Sequence, residues 1–285
     1  MKIGIDSYCY HRFFGEVYPG QTNPEFIMTV SDFINRAKQL RVDGVSLETC
    51  FLPSFEDAYL MELKAELDEY DLERVFAWGH PLGLERGQNM EAFKEMLDLI
   101  PKAKLIGADV MRITGSSLDF RFEDHAEQIK ALVPLLKEAV CAAEDNGVKL
   151  AIENHGDFTA KEIYQIIEEV GSAYLGVNFD SGNFLRLFDD PVESMELLGP
   201  YVLSTHIKDV IVDPRYSPKN ILFFSCVPVG MGLVDNRKLA EILSKNNYQG
   251  FLAVEIDQPV PQWEELEDEA VGISIHGLRK IAKGL

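Results

Sequence analysis

The chain has 285 residues, 46% of them hydrophobic, and 47 acidic against 27 basic side chains give a formal net charge of −20. The length suits one α/β barrel, which needs about 250 residues. The charge excludes nucleic acid as an expected partner, because that binding relies on Lys and Arg to neutralise phosphates.

The chain begins with a strand-like alternation at Met1 and holds neither an apolar leader nor an 18-residue apolar run. A cytoplasmic location without membrane contact is therefore expected. A short apolar run, a polar loop and a helical segment then recur eight times. The runs fall at residues 2–7, 44–49, 74–79, 109–114, 149–154, 175–180, 202–208 and 251–256. They are rich in Val, Ile, Leu and Phe, as parallel strands buried on both faces are.

The first connection, residues 8–23, is long and aromatic, with Tyr8, Tyr10, His11, Arg12, Phe13, Phe14 and Tyr18. It is expected to line a pocket for an aglycone or to pack against another subunit. After the fourth run, Ile129, Leu132, Val133, Leu136 and Val140 repeat at helical spacing, with Pro134 expected to kink the helix and Gly147 to end it. The long connection at 209–235 contains Arg215, Tyr216, Phe223, Phe224 and the turn from Pro228 to Gly232, and reads as a lid or an interface. Cys9, Cys50, Cys141 and Cys226 form no CxxC pair and are expected to be reduced. No Pro/Gly/Ser linker divides the chain, and no GxGxxG follows the first run as a doubly wound sheet would require. The fold class is α/β, a (β/α)8 TIM barrel in a single domain over residues 1–285.

In such a barrel, polar residues at strand C-termini converge on one mouth. Four consecutive runs end in Glu153, Asp180, His206 and Glu255. Taken alone, each suits a helix cap or an ion pair. Together, three carboxylates and an imidazole would repel without a cation. The set suits one divalent ion, Mn²⁺ first, with Mg²⁺, Co²⁺ or Zn²⁺ as alternatives. A cation spanning a carbonyl and its neighbouring hydroxyl stabilises the enediolate left by proton removal. Two carboxylates can then remove and return the proton. Candidate substrate contacts are His11, Glu48, Trp78, which could stack on a sugar face, His80, Arg112, His155, Asn183, Lys208 and Asp209. Asn154 and His155 are expected to orient the neighbouring ligands.

The ligand series, with His206-Ile207-Lys208-Asp209 and the segment 228–235, resembles the xylose isomerase-like TIM barrels. These include sugar-phosphate isomerase/epimerase homologues, ketose 3-epimerases, inosose isomerases and dehydratases and, more remotely, endonuclease IV. The resemblance covers nearly the whole chain. It implies that Glu153 and Glu255 are an acid/base pair that also binds the metal, with Asp180 and His206 as further ligands. The implied activity is that of a sugar isomerase or epimerase on a small carbohydrate, or of a lyase on a keto-sugar, keto-inositol or 3-keto-glycoside. Two positions depart from the ketose 3-epimerases. Asn183 stands where they carry histidine, and Lys208-Asp209 follow the histidine ligand where they carry an arginine. Free ketoses are therefore expected to be poor substrates. A catalytically silent barrel, a homo-oligomer and a partner-binding subunit are the other classes considered.

Overall fold

In a computed structural model, which describes residues 1–18, 20–79 and 82–285, the eight runs close into a parallel barrel. Its strands are β1 Lys2–Asp6, β2 Gly44–Glu48, β3 Glu73–Ala77, β4 Val110–Thr114, β5 Lys149–Glu153, β6 Leu175–Asp180 and β7 Val202–Ile207. The eighth barrel strand, β10 Phe251–Val254, closes the ring between β7 and β1. The expected strands and their order are all present. The connection at 209–235, read as a loop, instead contains an antiparallel hairpin of β8 Asp209–Val212 and β9 Phe224–Val227. Its two halves, Asp209-Val210-Ile211-Val212 and Phe224-Ser225-Cys226-Val227, are β-branched or aromatic enough to pair once they are brought together.

The helices alternating with the strands are α1 Val30–Leu40, α2 Asp57–Glu69, α3 Met90–Leu105, α4 His125–Asn146, α5 Ala160–Val170, α6 Pro191–Leu198, α7 Asn236–Lys245 and α8 Glu267–Ala282. Local chemistry sets their ends. Thr29 with Asp32 and Thr159 with Glu162 form capping boxes at α1 and α5. Gly147 ends α4 in the left-handed conformation, as expected from sequence. The same helix runs unbroken through Pro134. None of the helices among the described residues is long and apolar enough to cross a membrane.

Strand register decides what fills the barrel. Partners across the ladder point to the same side, so Asp180 and His206 share one inward layer, as do Thr114 and Glu153. Along three of the strands the interior goes from small to charged: Gly4 then Asp6, Gly44 then Ser46 and Glu48, Ala151 then Glu153. The N-terminal end is closed by the Phe251 ring, which packs with Val75 and Ala253. A Cβ on Gly44 would lie 2.4 Å from Phe251 Cδ1, and one on Gly4 would lie 2.2 Å from Cδ2. Both positions therefore need glycine for space. Gly44→Ala is expected to lower stability by about 1–3 kcal/mol through overpacking, read as a lower urea midpoint. An unchanged midpoint would show that the ring can move aside.

Candidate metal centre

The charged layer lies at the C-terminal mouth, where barrel enzymes carry their chemistry. One ligand atom from each of Glu153, Asp180, His206 and Glu255 lies within 4.8 Å of the others, and all four residues are buried. His206 Nδ1 is 2.6 Å from Glu255 Oε2 and 3.3 Å from Glu153 Oε1. Neither approach has hydrogen-bond geometry: His206 Nδ1, Glu255 Oε2, Glu153 Oε2 and Asp180 Oδ2 are all buried without a hydrogen-bond partner among the described residues. Buried polar atoms are normally satisfied. Clustered donor atoms without hydrogen bonds, two of them still approached by basic side chains, fit a shared cation. The donors are oxygen and nitrogen only. The nearby thiols are engaged elsewhere, Cys9 with the carbonyl of Val254 and Cys226 with Asp257. That donor set suits a divalent ion of the Mn²⁺, Mg²⁺, Co²⁺ or Zn²⁺ kind.

Two basic side chains stand behind the set. Arg112 Nε is 2.9 Å from Glu153 Oε2, and its Nη2 pairs with Glu48. Lys208 Nζ lies 2.9 Å from Asp180 Oδ2, 3.4 Å from Glu255 Oε1 and 2.8 Å from Asp257 Oδ2. Burial alone would push the Glu153 carboxyl up, but Arg112 and His206 outweigh it and hold Glu153 well below the usual carboxylate range. Glu255 is lowered in the same way, burial being outweighed by His206 and Lys208. For Asp180 burial wins and brings it up to about 6, against the pull of Lys208. Burial disfavours the imidazolium of His206, yet Glu255 and Glu153 raise its pKa well above the ordinary value.

The expected residues divide clearly. Asn154 exchanges two 2.9 Å hydrogen bonds with the backbone of Asp180, which anchors β5 to the end of β6. Asn183 donates to Glu153 Oε1 at 3.4 Å and accepts from Lys208 at 3.5 Å. The half-buried His155 has its pKa lowered, chiefly by desolvation. His80 lies outside the described residues.

Three candidate substrate contacts are placed differently by the structure. Trp78 is wholly buried and its indole N–H donates to Glu95 of α3, so the ring packs in the barrel wall. Both carboxylate oxygens of Asp209 accept backbone N–H groups, from Gly230, Gly232, Val234 and Val210, which makes it the clasp of the 228–235 turn. Both ring nitrogens of His11 meet carbonyl oxygens, of Glu16 and Asp257.

Sequence reasoning missed Asp6, Asp257 and Arg186. Asp6 ends β1 with Oδ2 3.3 Å from His206 Nε2. Asp257 binds Lys208, Arg186 and Cys226 together. Arg186 donates to Asn183 Oδ1 at 2.7 Å. A signal existed for the two acids: Asp6 ends a barrel strand, and Asp257 falls two residues beyond Glu255. A cavity of about 790 Å³ opens at the opposite end of the barrel, near Lys2, Glu73, Tyr174 and Tyr248, and touches none of the ligand set.

Two outcomes follow from this geometry. Asp6 Oδ2 lies 3.3 Å from Nε2, in contact but outside hydrogen-bond geometry, and its charge there would favour a neutral His206 protonated at Nε2, with Nδ1 left to a cation. Asp6→Asn should weaken Mn²⁺ binding about 10–100-fold; unchanged affinity in a titration would remove Asp6 from that role. Second, a cation must displace the proton that the carboxylates hold on His206, and ligation needs Asp180 ionised. Mn²⁺ affinity should therefore fall as pH drops through about 6, with protons released on binding. Calorimetry in two buffers of different ionisation enthalpy reads this directly, and identical heats would contradict it.

The comparisons with known proteins agree with this architecture. The sequence profile of the family described as xylose isomerase-like TIM barrel matches residues 34–274. An inosose dehydratase of Mesomycoplasma hyopneumoniae (strain 7448) is 26% identical over 229 residues, covering 72% of this chain and 75% of that protein. A crystal structure of an IOLI protein with a zinc atom superposes with a TM-score of 0.74 at 17% identity, over 99% of this chain and 98% of that one. The D-psicose 3-epimerase of Clostridium cellulolyticum H10, crystallised with D-tagatose, gives 0.73 at 16% identity, over 99% of each chain. These two likenesses concern the fold. The profile runs from within α1 to within α8, and on that match the chain belongs to the xylose isomerase-like TIM barrel family.

Proposed function

We propose that the protein is a divalent-metal-dependent sugar isomerase or epimerase that moves a proton on the carbon next to a carbonyl. The observation that carries this reading is the pair of buried glutamates, Glu153 on β5 and Glu255 just beyond β10, both within 3.3 Å of the same nitrogen, His206 Nδ1. Held by Glu153, Asp180, His206 and Glu255, a cation, Mn²⁺ in the first instance, would polarise a carbonyl and its neighbouring hydroxyl and offset the charge left by proton removal.

The rest falls to the protein's own side chains. β6 and β7 separate β5 from β10 in the barrel, so the two glutamates approach a substrate from different strands. One removes the proton and the other returns it to carbon. Arg112 lies against Glu153 and Lys208 against Glu255, so each acid/base group has its own cation to steady the carboxylate form. The depressed pKa of each glutamate favours the base over the acid before substrate enters. Asn183, Lys208 and Arg186 add hydrogen-bonding groups beside the acids, a set suited to hydroxyls.

A second reading, loss of a β-hydroxyl after the same deprotonation, is favoured by the inosose dehydratase relatives. The proposed substrate is a small carbohydrate, with a ketose less favoured than a keto-inositol or keto-glycoside because Asn183 and Lys208 replace the epimerase residues. The test follows solvent deuterium incorporation by the Mn²⁺-loaded protein on free ketoses, keto-inositols, sugar phosphates and 3-keto-glycosides. Exchange is expected on at least one class. Glu153→Gln and Glu255→Gln should each slow it by about 10²–10⁴-fold, with much less effect on binding. No exchange on any class, or near-normal rates in both variants, would sink the proposal; exchange with elimination would select the lyase.

A further inference from the structure

The loops after β4, β6 and β8 bound a cleft of about 290 Å³ that the metal centre does not use. Its rim carries Phe122, 71% exposed, and Phe188, 66% exposed, the two most exposed large apolar side chains among the described residues. Ile221 and Pro218 line the side formed by the β8–β9 connection. Phe188 sits at φ +61°, ψ +24°, in the left-handed region that bulky residues avoid. That conformation closes the turn at residues 185–187, where the Phe188 N–H donates to the Leu185 carbonyl and the Asp189 N–H to that of Phe184, while the ring meets Phe224 edge-on at 6.0 Å. The turn leaves the aromatic ring displayed at the rim of the cleft.

The inner wall of the cleft leads to the ligand set. Leu118 packs on Gly156, where an added Cβ would lie 2.2 Å from Leu118 Cδ2, three residues beyond Glu153. Arg186, also on the wall, donates to Asn183 Oδ1, and Asn183 donates in turn to Glu153 Oε1. The rim is also locally basic in a chain of net charge −20. Arg121 donates to the carbonyls of Leu118 and Lys219 and lies 4.5 Å over the Phe122 ring. Among the described residues, neither Arg121 nor Lys219 has a carboxylate partner.

We propose that this cleft is a subsite for a flat aromatic substituent on the sugar, an aryl aglycone with a phenolic edge, which rests on the carbohydrate reading above. Two exposed rings supply stacking faces, and Arg121 and Lys219 on the cleft lining offer N–H donors to a phenolic oxygen. The volume suits one portion of a ligand, because whole small-molecule sites span about 300–1,000 Å³. A subunit interface needs about 800 Å² per partner, more than two rings and a cleft of this size offer.

The experiment compares 4-hydroxyphenyl β-D-glucopyranoside with methyl β-D-glucopyranoside by calorimetry on the Mn²⁺-loaded protein. The aryl glucoside should bind about 10-fold tighter. That advantage should vanish in Phe122→Ala/Phe188→Ala and shrink in Phe188→Gly, which suits the left-handed backbone. Mn²⁺ affinity should not change in any of these variants, nor the unfolding midpoint in the double alanine variant. Equal binding of the two glucosides, no aryl binding at millimolar concentration, or an advantage that survives in the double variant would each overturn the subsite. So would light scattering that shows a dimer in the wild type and a monomer in the double variant, because the rings would then be buried against a second copy. An aryl preference without Mn²⁺ uptake would keep the subsite and reject only the metal-dependent function.

Discussion

Asp6, Glu48, Glu153, Asp180 and Glu255 are at most 5% exposed at the mouth of one barrel, and the rest of the site is arranged around the cost of burying that charge. An unpaired ion removed from water is strongly destabilising, and attraction repays the loss only when partners are close and well placed. Arg112 is therefore shared between Glu48 and Glu153, and Lys208 between Asp180, Glu255 and Asp257. His206 stands in the middle, with one nitrogen toward Asp6 and the other toward the two glutamates. The lone pairs still without hydrogen-bond partners converge on the space between these groups, which is where a cation does most to lower the energy.

The same constraint explains why the loops look as they do. Tyr8 stacks on His11, Tyr18 meets His11 at a tilt, and Phe14 lies flat on Phe51 at 4.6 Å. Arg12 pairs with Glu267 at the start of α8, and Tyr10 with Asp268. The aromatic connection after β1 thus packs onto its own barrel and keeps water from the charged layer. Low effective dielectric strengthens the ion pairs there. Asp209 plays a matching part on the other side, where Gly232 leaves room for its carboxylate: a Cβ would lie 2.1 Å from Oδ1.

Where the sequence did not show a side chain's partners, the cause was tertiary packing. Trp78 lies just beyond β3 near the mouth, yet its indole turns toward Glu95 on α3. Asp209 follows His206 closely, yet its carboxylate faces the 228–235 turn. Position along a strand says which end a residue is near; it does not say whether the side chain points into the barrel or out to the helices. That depends on register. Asp257 shows the converse, since it lies past the end of its strand and enters the site only because Arg186 and Lys208 reach it from other elements.

The eight strands, their parallel order and the four ligand-capable residues were legible in the sequence by itself. Buried strands are continuous apolar runs, and a barrel brings polar residues at its strand ends to one mouth. Helix ends were legible for the same local reason, as at Gly147, where only the adjoining turn matters. The tertiary structure alone decided the partners. Asp6 meets His206 across 200 residues of chain, Arg112 meets both Glu48 and Glu153, and Arg186 reaches Asn183 and Asp257. Such contacts depend on barrel closure and on side-chain direction across layers, neither of which leaves a periodic trace in the sequence.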